Sequence, residues 1–297
     1  MTALPDATTY TARLQAKIPI DNADTLEALG GSVWVKTDDG RVVRVDQRDN
    51  RVTAEIRTDT AADASHYCQG IGVADGKVWA CSAGDRSTDL VEIDPVSVRI
   101  TTRAKVDKVF DQLRLATSRN GLWVLSANGT RVTRVDPRTG TWSSSALGLR
   151  CLQLGADESL LVATCATEST LLVLDPDTGA VLSRVPLPEP RQVAPFHGEI
   201  WVDTAKGIMR LRRDLSVAAI YPSLTAGVSG DLLVQAGAVW VRTATGTIFR
   251  IDPETGDVRE QIVPDADLTP GSMLVAYGSI WTTSGDDGIL YRLSQAE

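Results

Sequence analysis

One unit recurs seven times along this chain, and a repeat of that length decides the architecture before any single element is assigned. The copies read GSVWVKTDDGRVVRVDQRDNRV, GKVWACSAGDRSTDLVEIDPVSVRI, NGLWVLSANGTRVTRVDPRTGTW, ESLLVATCATESTLLVLDPDTGAV, GEIWVDTAKGIMRLRRDLSVAAI, GAVWVRTATGTIFRIDPETGDVR and GSIWTTSGDDGILYRL. Their anchor is Trp34, Trp79, Trp123, Leu161, Trp201, Trp240 and Trp281, at spacings of 45, 44, 38, 40, 39 and 41 residues. Trp142 is the one tryptophan off the anchor.

Inside a unit, apolar residues alternate over short runs separated by Gly, Asn and Asp turns, which is the pattern of half-buried strands. An alternation such as Ile71-Gly72-Val73 leads through a turn into the tryptophan strand. A polar loop, a strand such as Val42-Val43-Arg44-Val45, an Asp-Pro-x-Thr-Gly segment and a fourth strand follow. Seven units of four strands predict an all-β, seven-bladed propeller with antiparallel blades. The last unit stops after three strands, and residues 10–20 read as a spare one. The ring is therefore expected to close by pairing the two, leaving no open edge. Residues 1–8 are then a tail, and residues 9–297 form one propeller domain.

With 43% hydrophobic and 23% charged residues, the chain can bury a core. Its formal net charge of −8, without a basic stripe, argues against a nucleic-acid partner. No apolar run approaches the ~20 residues of a membrane helix, and the first twenty residues lack the apolar core of a signal peptide. The chain is expected to be monomeric and not to insert into a membrane.

The anchor side chains are expected to pack between blades, since burying a tryptophan is worth about 2 to 3 kcal/mol. Asp136, Asp175 and Asp252 precede proline in the Asp-Pro-x-Thr-Gly segments, where a carboxylate caps a turn. Asp38-Asp39 and Asp286-Asp287 fall in loops without a calcium-loop spacing and read as solvated acids. No metal or cofactor is implied.

Cys68 and Cys81 lie 13 apart and Cys151 and Cys165 lie 14 apart, each pair flanking a turn, at Asp75-Gly76 and Asp157-Glu158. Each pair is expected to join the first and second strands of one blade as a disulfide. No Cys-x-x-Cys spacing points to zinc. Disulfides imply an oxidising compartment, extracellular or in the cell envelope, and a targeting or anchoring segment outside this chain.

The only histidines are His66, before the first strand of blade two, and His197, in the turn before Trp201 on the other side of the ring. Loops leading into first strands rim one mouth of a propeller. Here they carry Asp24, His66, Tyr67, Gln69, Phe110, Asp111, Gln112, Arg114, Arg150, Arg191, Gln192 and Asp231. Arg114, Arg150 and Arg191 come from consecutive blades and would make a cationic arc for a carboxylate ligand. The alternative is that they pair with neighbouring acids such as Asp111 and Glu189.

The G-x-V-W-V segment followed by R-V/I-D-P-x-T-G resembles the YVTN/YncE-like and virginiamycin B (streptogramin) lyase-like propellers, from Tyr10 to Leu293. The resemblance implies seven blades, and for the lyases a histidine base and a histidine- and glutamate-held metal from late blades. This chain has no histidine after His197, so none of those residues carries over. The expected function is non-enzymatic binding of a small molecule or protein in the funnel at the tunnel mouth. A lyase or hydrolase in the same funnel, with His66 as base and the three arginines holding a carboxylate, is the alternative.

Overall fold

Every repeat folds into the four-stranded antiparallel sheet that its alternation predicts, and the seven sheets stand in a ring. The computed structural model describes residues 7–59, 69–83, 88–106, 114–119 and 121–295, apart from the side chains of residues 83 and 88. His66, Tyr67, Cys68, Phe110, Asp111 and Gln112 lie outside them. Among the described residues there is no helix, and none therefore long and apolar enough to cross a membrane.

The first strands are Ala23–Leu29, Ile71–Ala74, Ala116–Ser118, Gln153–Ala156, Val193–Phe196, Asp231–Gln235 and Met273–Ala276. They line the axis, each beside the next and the last beside the first. Second strands such as Ser32–Thr37 and Gly121–Ser126 are buried along their whole length, because both sheet faces meet a neighbouring blade. The core is accordingly seven apolar clusters, one between each pair of adjacent blades. Each anchor tryptophan faces the following blade: Trp34 packs with Ile71 and Val78, and Trp281 with Leu26 and Val35. Trp34, Trp79, Trp123, Trp201 and Trp281 are buried, and Trp240 nearly so.

One anchor shifts. Leu161 pairs with Leu174, as Leu122 pairs with Val135 and Ile200 with Leu211, so it points back to blade three with Trp123. The residue in the tryptophan register of blade four is Val162, which pairs with Val173 and faces blade five. A one-residue slip reverses the face because strand side chains alternate. Both side chains are apolar and buried, which is why the sequence pattern does not separate them.

The third strand adds a device around five of the six anchor tryptophans; across from Trp79, blade two carries Glu92 instead. Arg44, Arg134, Arg210, Arg250 and Arg292 sit directly across from Trp34, Trp123, Trp201, Trp240 and Trp281. The guanidinium carbons of Arg44, Arg210, Arg250 and Arg292 lie 5.5, 5.5, 5.8 and 4.8 Å from the ring centroids, within cation–π range. Three of these arginines reach the turn between the third and fourth strands of the next blade, whereas Arg44 bonds Ser32 and Arg250 bonds Glu260 within their own blades. Arg134 donates to Asp177 O at 3.0 Å, Arg210 to Glu254 O at 3.1 Å and Arg292 to Gln47 O at 2.7 Å. Blade four lacks both the tryptophan and the arginine.

Those turns are what the Asp-Pro-x-Thr-Gly segments predict. Asp175 Oδ1 accepts from the backbone N–H groups of Asp177 and Thr178, and Asp252 Oδ1 from those of Glu254 and Thr255. Gly179 closes its turn at φ 73°, and a Cβ there would sit 3.0 Å from the Trp123 ring of the preceding blade. Glycine is required at this position on both counts.

The N-terminal segment divides in two where the sequence reads one strand. Leu14–Pro19 pairs antiparallel with Ile289–Ser294 and completes blade seven, from Leu14↔Leu293 to Pro19↔Ile289. Thr8–Ala12 instead runs parallel to Val258–Pro264 as a fifth strand of blade six. The break falls at Arg13, whose N–H donates to Ser294 Oγ at 3.0 Å. On either side of it, Ala12 is buried between blades six and seven, and Ile18 and Ile20 between blades seven and one.

Cys151 and Cys165 are bonded in blade four. Their hairpin is longer than a two-residue turn, running from Ala156 to Leu161. Gln153 pairs with Thr164, so Cys151 stands just before the first strand and one position off register from Cys165. Cys81 is also disulfide-bonded, and Cys68, the partner expected for it, lies outside the described residues.

Candidate functional site

First strands of neighbouring blades make no continuous backbone ladder with one another, and polar side chains stitch them together at the end where the chain arrives. Gln192 of blade five donates to Gly230 O at 2.5 Å and accepts from Leu232 N at 2.7 Å. Asp231 of blade six accepts from Met273 N of blade seven at 2.8 Å. At the ends of second strands, Thr283 Oγ1 donates to Asp24 O at 2.7 Å, and Arg242 donates to Gly271 O and Thr269 O at 2.8 and 2.6 Å. Burial lowers the Arg242 pKa to about 10. Asp203 takes Thr225 Oγ1 at 2.9 Å and the N–H groups of Ala226 and Gly227, and its burial pushes its carboxyl above the ordinary value.

Two expected residues meet at the centre. Arg114 leaves the approach to blade three and crosses the axis to Asp231 of blade six, with Nη1 2.7 Å from Oδ1. It also donates to the Met273 carbonyl. Asp231 is almost wholly buried, at 1% side-chain exposure, so this pair is shielded from screening by solvent. The pair forms a bar across the tunnel.

Above the bar, the connecting loops enclose a cavity of about 340 Å³. Asp24, Asp38, Gln69, Ser229 and Asp286 line it, together with backbone at Gly230, Gly271 and Gly285. Gln69 Nε2 donates to Asp38 Oδ1 at 3.1 Å. Thr25 Oγ1 donates to the Gln69 carbonyl, fixing that loop on blade one. The neighbouring Asp39 is held by Arg41 Nε at 2.9 Å and by Thr37 Oγ1 at 2.5 Å, and Asp287 by Ser284 Oγ at 2.7 Å. No group of three metal-ligating side chains occurs among the described residues.

The three arginines occupy different settings. Arg191 lies 3.6 Å from Asp203 and 3.5 Å from Glu189, a partner named from the sequence. Arg114 belongs to the bar, and Arg150 is exposed on the connection into blade four beside Cys151. His197 lies on the opposite face, exposed, stacked on Phe196 at 4.0 Å and 4.0 Å from Glu254. His66, Tyr67 and Asp111 are outside the described residues.

Two charges inside the ring, one buried and one half-buried, escape a reading by loops. Lys36, on the second strand of blade one, is 1% exposed, with Nζ 3.1 Å from Thr37 O and 4.0 Å from Asp59; burial lowers its pKa. Glu27 sits on the first strand of blade one and lines the tunnel below the bar. The signal available for Glu27 was a lone glutamate in a strand whose counterparts are apolar.

No family model matches this sequence, and no curated protein matches it. Solved structures share the fold. The Pan2 WD40 domain of Neurospora crassa aligns over 99% of this chain and 98% of its own, with a TM-score of 0.76 and 12% identity. BamB of Moraxella catarrhalis aligns over 96% of this chain and 100% of its own, with a TM-score of 0.63 and 12% identity. A catalytically inactive virginiamycin B lyase from Staphylococcus aureus, solved with quinupristin, aligns over 95% and 99%, with a TM-score of 0.71 and 14% identity. The chain is a seven-bladed propeller, and these structures are similar to it in fold.

Proposed function

We propose that this propeller is a non-enzymatic binding domain, working in an extracellular or cell-envelope compartment, that receives a small molecule or protein partner in its loop-built mouth. The observation that carries the reading is the loop-lined cup at the mouth, whose lining includes Gly230, the residue before Asp231 of the bar. Arg114 and Arg191 spend their charge on Asp231, Asp203 and Glu189, while Asp38 and Asp286 stand around the cup. That balance favours a partner presenting basic or amide groups over a carboxylate. The oxidised cysteines support a compartment outside the reducing cytoplasm.

The test is an array of short peptides of graded charge probed with the full chain. Basic peptides should be retained, and an Asp38→Asn/Asp286→Asn variant should lose most of that retention. Undiminished binding by this variant, or preference for acidic peptides, would overturn the reading.

A further inference from the structure

Opposite the tryptophan register, the first strands carry Glu27, Gly72, Ala116, Gly155, Ala194, Leu233 and Leu274. Six of the seven blades place a glycine or an apolar side chain there, and blade one places a carboxylate. A half-buried charge at such a position costs stability without a compensating partner.

Glu27 lines a cavity of about 280 Å³ that begins at Arg114 and extends toward the hairpin face of the ring. Val73, Leu154, Val193 and Leu232 give it apolar side chains, and polar and apolar atoms share its surface about equally. Arg114, the nearest cation acting on Glu27, already has its own counter-ion in Asp231 at 2.7 Å. Ionised Glu27 therefore leaves the three-group cluster with one unmatched negative charge. Burial raises its carboxyl to about 7; Arg114 pulls it down, the Ala28 backbone N–H does the same, and Asp231 pushes it up. At the far end of the cavity Gln235 Oε1 accepts from Val275 N at 2.6 Å, which turns its amide nitrogen into a wall donor.

We propose that the tunnel segment below the Arg114–Asp231 bar is a binding site, distinct from the mouth, for a protonated amine on a short apolar stem, with Glu27 as its counter-ion. The apolar side chains take the stem and Glu27 supplies the missing charge pairing. Arg114 limits the depth, so the ligand enters from the hairpin face. The same chemistry is offered by a free alkyl or aryl-alkyl amine and by a lysine side chain at a peptide turn.

The experiment is calorimetric titration of the full chain with phenethylamine, with its alcohol isostere phenethyl alcohol, and with a capped Gly-Lys-Gly peptide. The amine should bind and the alcohol should not. Amine affinity should fall about tenfold between roughly pH 8 and pH 6, because Glu27 takes up its proton there while the amine stays charged. Glu27→Gln should weaken binding about tenfold and abolish that pH dependence. Tighter binding of the peptide than of the amine assigns the site to a protein partner, and the reverse to a small molecule. Equal binding of amine and alcohol, a pH-independent affinity in the native chain, or no binding of amine or peptide would each overturn the proposal. The pH measurement needs no variant, so it decides even if Glu27→Gln misfolds. Each titration is repeated in Asp38→Asn/Asp286→Asn, in which the mouth is blunted; the Glu27- and pH-dependent binding should persist there, and its loss would overturn the proposal.

Discussion

Arg114 and Asp231 stand 117 positions apart in the chain and on opposite sides of the ring, yet their side chains meet at 2.7 Å across its axis. Asp231 also accepts the Met273 N–H, so one carboxylate ties blade three to blades six and seven. The tie is an internal brace across the ring.

Removing one member of this brace strands the other. Arg114→Met should lower stability by about 3 to 5 kcal/mol, because it leaves a buried carboxylate without its cation. The double variant Arg114→Met/Asp231→Asn should recover part of that loss. Urea denaturation of the two singles and the double measures the coupling, and additive effects would contradict it.

The arginines on third strands should differ by what they reach. Arg292 stacks on Trp281 and bonds Gln47 O and Asn50 Oδ1 of blade one, across the closure of the ring. Arg250 stacks on Trp240 but bonds Glu260 within its own blade. Arg292→Ala should therefore cost about 2 kcal/mol, and Arg250→Ala roughly half of that. Thermal melts at matched pH compare them directly.

Reduction should loosen blade four. The Cys151–Cys165 bond closes a short loop, and opening it should cost about 2 to 4 kcal/mol. The midpoint of denaturation should fall in Cys151→Ala/Cys165→Ala, and further in reductant, which also opens the bond at Cys81. A thiol titration of unreduced, denatured chain should find no free thiol.

The two N-terminal strands make separable contributions. Removing residues 2–12 strips the fifth strand from blade six and should lower the melting temperature modestly. Removing residues 2–20 takes away Ile18, Ile20 and the closing pair as well, and should abolish a cooperative transition at the native temperature. Equal melting of the two truncations would refute closure by Leu14–Pro19.

Stability should also report the Glu27 proton. Its folded-state pKa, about 7, lies above the ordinary carboxyl value, so the folded chain holds this proton more tightly than the unfolded one. The corresponding stability is complete below about pH 4.5 and is lost as pH rises through 7. Glu27→Gln should thus gain on the native chain by on the order of 1 to 3 kcal/mol between those limits. A constant difference between the two unfolding curves would refute the shift.

The architecture was legible because its signals are local and repeated: alternation, turn chemistry, and one large apolar side chain per unit. The turns at Asp136, Asp175 and Asp252 were readable for the same reason, since a carboxylate two residues before its own backbone partners needs nothing distant. The Arg of the R-V/I-D-P motif was visible but unassigned, because its role depends on the strand opposite and on the next blade. Register was less secure: Leu161 and Val162 are both apolar, and only pairing with Leu174 and Val173 distinguishes them. The mouth was harder still. Its loops were identifiable, but whether Arg114 faces a ligand or Asp231 depends on the curvature of the whole ring.

The split at Arg13 carries one more consequence. Since Leu14 and Leu293 are cross-strand partners and Arg13 N–H donates to Ser294 Oγ, the chain enters blade seven beside the point where it leaves it. The polypeptide is in effect a circle with one nick, and the nick has no privileged address. Joining Ser294 to Arg13 by a short linker, without the fifth strand of blade six, and reopening the backbone at the Arg212–Ser216 turn would transfer the nick to blade five. Such a permutant should keep the same seven sheets.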